Sequence, residues 1–559
     1  MKKIFLATLF LILASQLTYA QINSFSQDNK NAKLYEKTEF SIKLTGQWDN
    51  PYLQEDVALD MLITSPAGKK LILPCYYESG KSGAESTWKA RFAPQETGTY
   101  HYTFKFSKSG NAVSTSKEGQ FAVAKSAKNG FIHPKNNWAF QFDNGIPFRG
   151  IGENIAWESR SSDDSKFFKG LHENPKYNYE YMLPSLAKHG GNFYRTWISA
   201  WNLPIDWHKG FNSNRYTPSD KYFNPSAIAK MDRLVTLSDS LGVYIMLTLG
   251  QGDYNTRDGG FSPNAADFFV NPKSMQRYKN RLRYIIARWG YSTSIGAWEL
   301  FNEVDNVQFG NKAKPISADS IVVWHDVMSA YIKETDPYQH LVTTSISHRD
   351  LKGLNSLKCI DFNQKHIYKN TASIPEAIVK YEDDFKKPYV IGEYSYEWDW
   401  SKNFDDFPLE MDSDFKRGLW YGLFSPTPIL PMSWWWEYFD NRGTDAYFNR
   451  VKTISDQMLA NGNNLEQVKT TASVADVKTL GVKAGRKTFV YAFNPTDAKQ
   501  ALRVQFDSKG SKLTVRVYDC ESGQYKKATL TKKGEQVELS VSEIAAKSDM
   551  VFIVTEGGK

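Results

Sequence analysis

Cysteine is scarce in this chain: 559 residues hold three, Cys75, Cys359 and Cys520. They fall in three different expected domains, which argues against a disulfide framework and against a thiolate metal centre. Long apolar runs are missing too. After the first twenty residues no segment offers the roughly 20 apolar residues that a membrane-spanning helix needs, so no membrane anchor is expected. Basic residues outnumber acidic ones, 69 to 61, for a formal charge of +8, but no Lys/Arg block concentrates that charge. A nucleic-acid partner is therefore not expected.

The N-terminus does have an apolar stretch. Lys2 and Lys3 precede the run from Ile4 to Ala14, and Thr18-Tyr-Ala20 then reads as a cleavage site after Ala20. This is the pattern of a secretory signal, with no cysteine behind it to carry a lipid, so the expected location is periplasmic or secreted. The chain as a whole is 41% hydrophobic and 23% charged, ordinary for a soluble protein long enough to bury several cores.

Two changes of periodicity divide the chain. From about 21 to 125 apolar residues alternate, as in Phe40, Ile42, Leu44 and in Trp88, Ala90, Phe92 and in Tyr100, Tyr102, Phe104, Phe106. Period two with turn residues between the runs predicts a β-sandwich. Glu96-Thr-Gly-Thr-Tyr100 resembles the turn that carries the tyrosine corner of immunoglobulin-like domains. From 126 to 460 short apolar runs alternate with helical patterns, which predicts βα repeats around a parallel sheet. Eight strand candidates fall there: 148–154, 192–198, 243–250, 295–303, 340–346, 362–368, 388–394 and 431–437. Eight is the count of a (β/α)8 TIM barrel. From 461 to 559 alternation returns in Leu502, Val504, Phe506, then Leu513, Val515, Val517, then Val551, Ile553. The expected fold class is thus α/β: a (β/α)8 barrel flanked by an N-terminal immunoglobulin-like sandwich and a C-terminal β-sandwich.

Active sites of such barrels lie at the carboxyl ends of the strands. Glu303 closes the run Ile295-Gly-Ala-Trp-Glu-Leu-Phe-Asn-Glu303, and Glu393 closes Val390-Ile-Gly-Glu-Tyr394. Two carboxylates on two strand ends are what retaining glycoside hydrolysis needs, one as acid and base and one as nucleophile. No cofactor and no metal is required. In the loop after the third strand, Asp253 and Asp258 read as solvated carboxylates rather than metal ligands.

These two runs resemble the fourth and seventh strand motifs of clan A glycoside hydrolases, such as the family 5 cellulases and mannanases. The resemblance implies Glu303 as general acid/base and Glu393 as nucleophile. It also implies Arg195 as support for the nucleophile, Asn302 as a contact to the sugar 2-hydroxyl, and His366 and Tyr368 as residues lining the site. Chemistry then asks Glu303 to hold its proton and Glu393 to stay ionised, with the Arg195 guanidinium lowering the Glu393 pKa. In Ser433-Trp-Trp-Trp-Glu437 strand alternation puts Trp434 and Trp436 on one side as a sugar platform. Glu437 departs from the clan pattern and is expected to bind a hydroxyl or a basic sugar. The implied partner is a polysaccharide or oligosaccharide with an equatorial glycosidic bond. Two other readings stay open, a catalytically inactive carbohydrate-binding protein on the same barrel and a polysaccharide lyase. The sugar, its linkage and the oligomeric state are not fixed by these residues.

Overall fold

The computed structural model describes residues 20–250, 261–309, 316–461 and 464–557. The expected signal, apart from Ala20, lies outside the described residues, as do Asp253 and Asp258. The chain divides into two compact units, the first ending at Lys125 and taking in Ile286–Arg288, the second comprising Ser126–Ile285 and Trp289–Lys559.

In the first unit the alternating runs form strands. Thr38–Thr45 pairs antiparallel with Glu85–Phe92, and its side chains alternate between buried and half-buried without a break. Phe40, Ile42 and Leu44 are fully buried. Phe40 meets Tyr102 and Phe104 of strand Gly98–Lys108, which lies in a separate six-stranded sheet, with Phe40 and Tyr102 5.0 Å apart. Two sheets thus face each other over an aromatic core. The Tyr100 hydroxyl accepts the backbone N–H of Glu96 at 2.8 Å and of Gln95 at 3.2 Å, which pins the turn leading into its own strand.

The second unit is mixed α/β around a closed parallel sheet. Its strands are β1 (Gly152–Asn154), β2 (Phe193–Trp197), β3 (Tyr244–Thr248), β4 (Ile295–Glu299), β5 in two pieces (Leu341–Thr343 and Ser345–Ile346), β6 (Asn363–Tyr368) and β7 (Tyr389–Ser395). Each pairs in parallel with the next. Single parallel bridges join Glu153 of β1 and Tyr394 of β7 to Ser433, and Gly150 to Ile429, so the ring returns to its first strand. Helices supply the crossovers. Between β2 and β3, Asn224 caps the N–H groups of Ser226 and Ala227, Pro225 opens the helix Pro225–Leu241, and Gly242 ends it in the left-handed region at φ +66°. This is the order of cap, proline and glycine that helix ends favour.

Three expected strands need correction. Pro147–Phe148 belongs to an antiparallel hairpin with Phe140–Phe142, and the parallel strand starts only at Gly152. That hairpin plugs the amino-terminal end of the barrel: Phe140, Phe142 and Phe148 share one core with Phe193, Met246, Leu341 and Val390. The fourth strand stops at Glu299, four residues before Glu303. The run 431–437 is no strand beyond its bridge at Ser433, because Trp435 takes φ +70° and the helix Trp436–Arg442 begins behind it. Bulky aromatic residues favour strands in general, which is why a tryptophan run mimics one.

After the barrel the same unit continues into a six-stranded and a four-stranded antiparallel sheet. Leu502, Val504 and Phe506 point into the core between them, as the alternation predicts. Strand Asp549–Glu556 is buried on both faces, because its sheet also backs onto the barrel, where Trp420 stacks on Tyr491 at 5.8 Å. Cys75, Cys359 and Cys520 are unpaired. Among the described residues no helix is long and apolar enough to cross a membrane.

Candidate active site

The site grows from one arginine. On β2 alternate residues face opposite ways: Tyr194 and Thr196 bond outward to Ser238 and Tyr179, while Arg195 points into the barrel and is fully buried. Its Nε donates to Glu299 Oε2 at 2.6 Å and its Nη2 to Glu299 Oε1 at 2.8 Å. Nη1 donates to Glu393 Oε1 at 2.6 Å and to Asn154 Oδ1 at 3.1 Å, and Nη2 also to Asn302 Oδ1 at 2.6 Å. All five N–H donors of the guanidinium are thereby used. Burial opposes its charge, but Glu299 and Glu393 outweigh that and raise its pKa. Glu299 is held by the same pair: burial pushes its carboxyl up, while Arg195 and a 2.7 Å bond from Thr248 bring the balance down.

Glu393 sits on β7 with its second oxygen bound by the Tyr368 hydroxyl at 2.6 Å. The residue before it is glycine, and a Cβ there would come within 1.9 Å of the Gln364 amide as it stands. The β6–β7 register shifts between Lys365 and His366, so that His366 falls opposite Glu393. Its Nδ1 lies 2.8 Å from Glu303 Oε1 and 3.4 Å from Glu393 Oε2. Burial pulls the imidazole pKa down, but the two carboxylates win and raise it.

The Glu393 carboxyl does not follow the expectation that Arg195 would lower it. Burial is the largest influence and pushes it up, the charges of His366 and Arg195 pull against that, Glu303 adds to the rise, and the balance is upward. Arg195 does act in the expected sense, but its charge is shared with Glu299.

Glu303 reaches the site from a loop. After β4 the chain keeps pairing through Leu300 N–H to Thr343 O and Asn302 N–H to Gly250 O. Glu303 then takes φ +48°, a left-handed conformation costly for a side chain and concentrated at functional sites. Its N–H bonds Ser345 Oγ at 2.9 Å, and its Oε2 accepts from Asn306 at 2.9 Å. One oxygen each of Glu303 and Glu393 and a nitrogen of His366 lie within 4.8 Å of one another. Among the described residues this is the group that could converge on a cation, and within it His366 already bonds Glu303.

A cavity of about 620 Å³ opens over these groups, walled by Trp197, Tyr368, Trp398 and Trp434. Of the expected site residues, Arg195, Asn302, Glu303, His366, Tyr368 and Glu393 come together, and Trp434 lines the same cavity. Trp436 and Glu437 do not: they line a neighbouring cavity. Trp434 and Trp436 do stand edge to face at 5.2 Å, but through the turn at Trp435 rather than through strand alternation. Trp201 packs edge-on against Trp157 at 5.8 Å, Trp207 is buried, and Arg215 bonds Ser159. The sequence reading passed over Asn154, Thr248, Glu299, Trp197 and Trp398. Glu299 had a signal, since it shares the inward face of β4 with Ala297.

Two carboxylates on either side of one histidine thus lie under a tryptophan-walled cavity at the strand ends of a closed parallel sheet. Known proteins are similar to parts of this chain. "Probable mannan endo-1,4-beta-mannosidase C" of Aspergillus terreus is 32% identical over 142 residues, 24% of this chain and 33% of its own length. Mannan endo-1,4-beta-mannosidase F of Aspergillus fumigatus is 26% identical over 184 residues, 29% of this chain and 37% of that protein. The chain thus spans about a third of the length of these curated relatives. A solved structure described as a "putative glycoside hydrolase" of Bacteroides vulgatus superposes with a TM-score of 0.65 at 15% identity, covering 95% of this chain and 100% of that one. Residues 31–107 match a domain of unknown function, DUF5060. The chain is thus similar in sequence to parts of named mannan endo-1,4-beta-mannosidases and similar in fold to that solved structure.

Proposed function

We propose that this protein is a retaining glycoside hydrolase acting on a β-linked polysaccharide, with β-1,4-mannan the first substrate to try because of its relatives' names. In this reading residues 126–460 are a (β/α)8 catalytic barrel, 21–125 an immunoglobulin-like sandwich and 461–559 a second sandwich. The observation that carries it is the approach of Glu303 and Glu393 oxygens to within 4.8 Å. Retaining enzymes hold their two carboxyl groups about 5–5.5 Å apart, whereas inverting ones leave about 6.5–9.5 Å for a water.

Glu393 attacks the anomeric carbon while Glu303 donates a proton to the departing oxygen. Water, deprotonated by Glu303, then releases the sugar from the Glu393 ester. Burial that raises Glu393 suits a nucleophile, because its charge is relieved when the ester forms, while Arg195 and Tyr368 aim its oxygens. Asn302, fixed by Arg195, is in place for the 2-hydroxyl. The leader at residues 1–20 is read as an export signal, which the mass of the exported protein checks.

The decisive experiment is turnover and binding on a polysaccharide panel with wild type, Glu303→Ala and Glu393→Ala. Wild type should release reducing ends of retained configuration by early-time proton NMR, and Glu393→Ala should bind without cleaving. Binding by all three proteins with cleavage by none would favour a carbohydrate-binding protein instead. An unsaturated, ultraviolet-absorbing product would mark a lyase.

A further inference from the structure

Two places after Glu303 the chain buries a charge that the chemistry of Glu303 and Glu393 does not use. Asp305 lies in the first turn of the short helix Val304–Phe309 and is fully buried. Its Oδ1 accepts the backbone N–H of Ser347 at 2.7 Å, and its Oδ2 accepts those of His348 at 3.0 Å and Arg349 at 3.1 Å. Consecutive N–H groups of the loop after β5 thus converge on one carboxylate. Ser347 Oγ stands 3.2 Å from the same Oδ2, so each carboxylate oxygen has a neighbour in that loop. A turn by itself asks for no charge, since neutral Asn and Ser cap N–H groups at helix ends as well as Asp does. Burying a charge is costly unless it is hydrogen-bonded, and here the donors are supplied.

From Ser347 the contacts run back to Glu303. Ser347 Oγ donates to Asn306 Oδ1 at 3.1 Å, and Asn306 Nδ2 donates to Glu303 Oε2 at 2.9 Å. A serine has one hydroxyl hydrogen to give. Asp305 Oδ2 already accepts from His348 and Arg349, so that hydrogen is better spent on Asn306 Oδ1. An amide whose oxygen is engaged in this way turns its NH2 to Glu303. The backbone of Glu303 is tied to the same strand, through its N–H to Ser345 Oγ at 2.9 Å. Occupied as an acceptor, Glu303 Oε2 is a poor place for an acid proton. The other oxygen, Oε1, lies 2.8 Å from His366 Nδ1, and a proton between those two atoms is free to leave.

We propose that Asp305 is a positioning residue for proton transfer. By fixing Ser347 it makes Asn306 present its NH2 to Glu303 Oε2, and this confines the transferable proton to Oε1. The assignment rests on the acid/base role given above to Glu303. A residue that only folded the loop would matter equally for every leaving group, whereas one that places the proton matters as far as the leaving group needs it.

The test therefore compares leaving groups. A 2,4-dinitrophenolate departs without a proton and a phenolate needs one. The specificity constant kcat/KM is measured for phenyl and 2,4-dinitrophenyl β-glycosides of the disaccharide that the polysaccharide panel identifies, with wild type, Asp305→Asn, Ser347→Ala and Asn306→Ala. Asp305→Asn sets an NH2 against the N–H groups of the loop. It should cost the phenyl glycoside about 100-fold, the low end of what general acid catalysis supplies, and the dinitrophenyl glycoside about threefold at most. Ser347→Ala and Asn306→Ala should each cost the phenyl glycoside about tenfold, the worth of one hydrogen bond, with the same small effect on the dinitrophenyl glycoside. Adding Asn306→Ala to Asp305→Asn should cost little more, because the two act in one line. Equal losses on both glycosides, or full phenyl activity in Ser347→Ala and Asn306→Ala, overturn the assignment and leave the hydrolase reading standing. If Asp305→Asn does not fold, the two alanine variants decide. A panel without turnover takes down the hydrolase reading, and the assignment falls with it.

Discussion

Glu299→Gln is the sharpest probe of the charge network, because it changes one charge and almost no volume. Both Glu299 oxygens accept hydrogen bonds, from Arg195 Nε and Nη2 and from Thr248. A glutamine must turn its NH2 toward one of these donors, and Arg195 loses one of its two charged partners. Breaking a buried ion pair on one side costs about 3–5 kcal/mol; since Glu393 and Asn302 still hold Arg195, the lower end, about 3 kcal/mol, is expected in urea unfolding. The second effect carries the reasoning. With Glu299 neutral, the Arg195 charge acts on Glu393 alone. Two carboxylates across one guanidinium repel each other, worth on the order of 2 kcal/mol at an effective dielectric constant near 20. Removing that repulsion lowers the Glu393 pKa by on the order of one unit. The acid limb of kcat/KM against pH, which reports the free enzyme's essential base, should therefore move to lower pH. An acid limb that stays in place or moves up, in a variant that has lost stability, would show that Arg195 is not shared between the two carboxylates and refute the account.

Tyr368→Phe should act with the opposite sign. It removes the 2.6 Å donor from Glu393 Oε2, so the acid limb should rise, and kcat/KM should fall about 10–100-fold for a hydrogen bond to a charged group; an unshifted limb would deny Tyr368 its contact with the ionised form. Glu437→Gln tests burial of a carboxyl outside the reacting pair. Its pKa is raised from 4.5 to about 8 by burial, so the folded state keeps a proton that the unfolded chain gives up, and the stability this contributes is present below about 4.5 and lost as pH rises through about 8. Wild type should lose on the order of 4 kcal/mol more than Glu437→Gln between pH 5 and pH 9. Parallel urea midpoints across that range would mean Glu437 is solvated.

Legibility in the sequence followed how many faces of an element are covered. In Thr38–Thr45 one face meets the core and the other stays half open, so period two was visible and correct. In β4 every residue is buried. A strand covered on both faces reads as an unbroken apolar run, so the charge of Glu299 is the one mark in it of which face turns inward. The same holds for Asp549–Glu556, where Val551 and Ile553 were legible but Phe552 and Val554 face the sandwich core. The ends were least legible. The position of Glu303 depends on one left-handed residue, and that of Trp434 on another at Trp435; neither is glycine, so neither announces its turn.

The site residues themselves were readable for a different reason: a charged residue inside an apolar run must have a partner once buried. Arg195, Glu393 and His366 each met that condition within their own strand, and only the closed ring assigns the partners. Arg195 and Glu299 stand 104 positions apart and Arg195 and Glu393 stand 198 apart, distances that no local pattern spans. His366 needed one further device, the register shift at Lys365–His366 that sets it opposite Glu393. Straight pairing onward from Lys365 and Ile391 would place Ile367 there instead. The motif therefore specifies which groups are present, whereas the shift and the two left-handed turns specify that they meet. A substitution that removed the shift while keeping every motif residue should leave the sequence signature intact and separate His366 from both carboxylates.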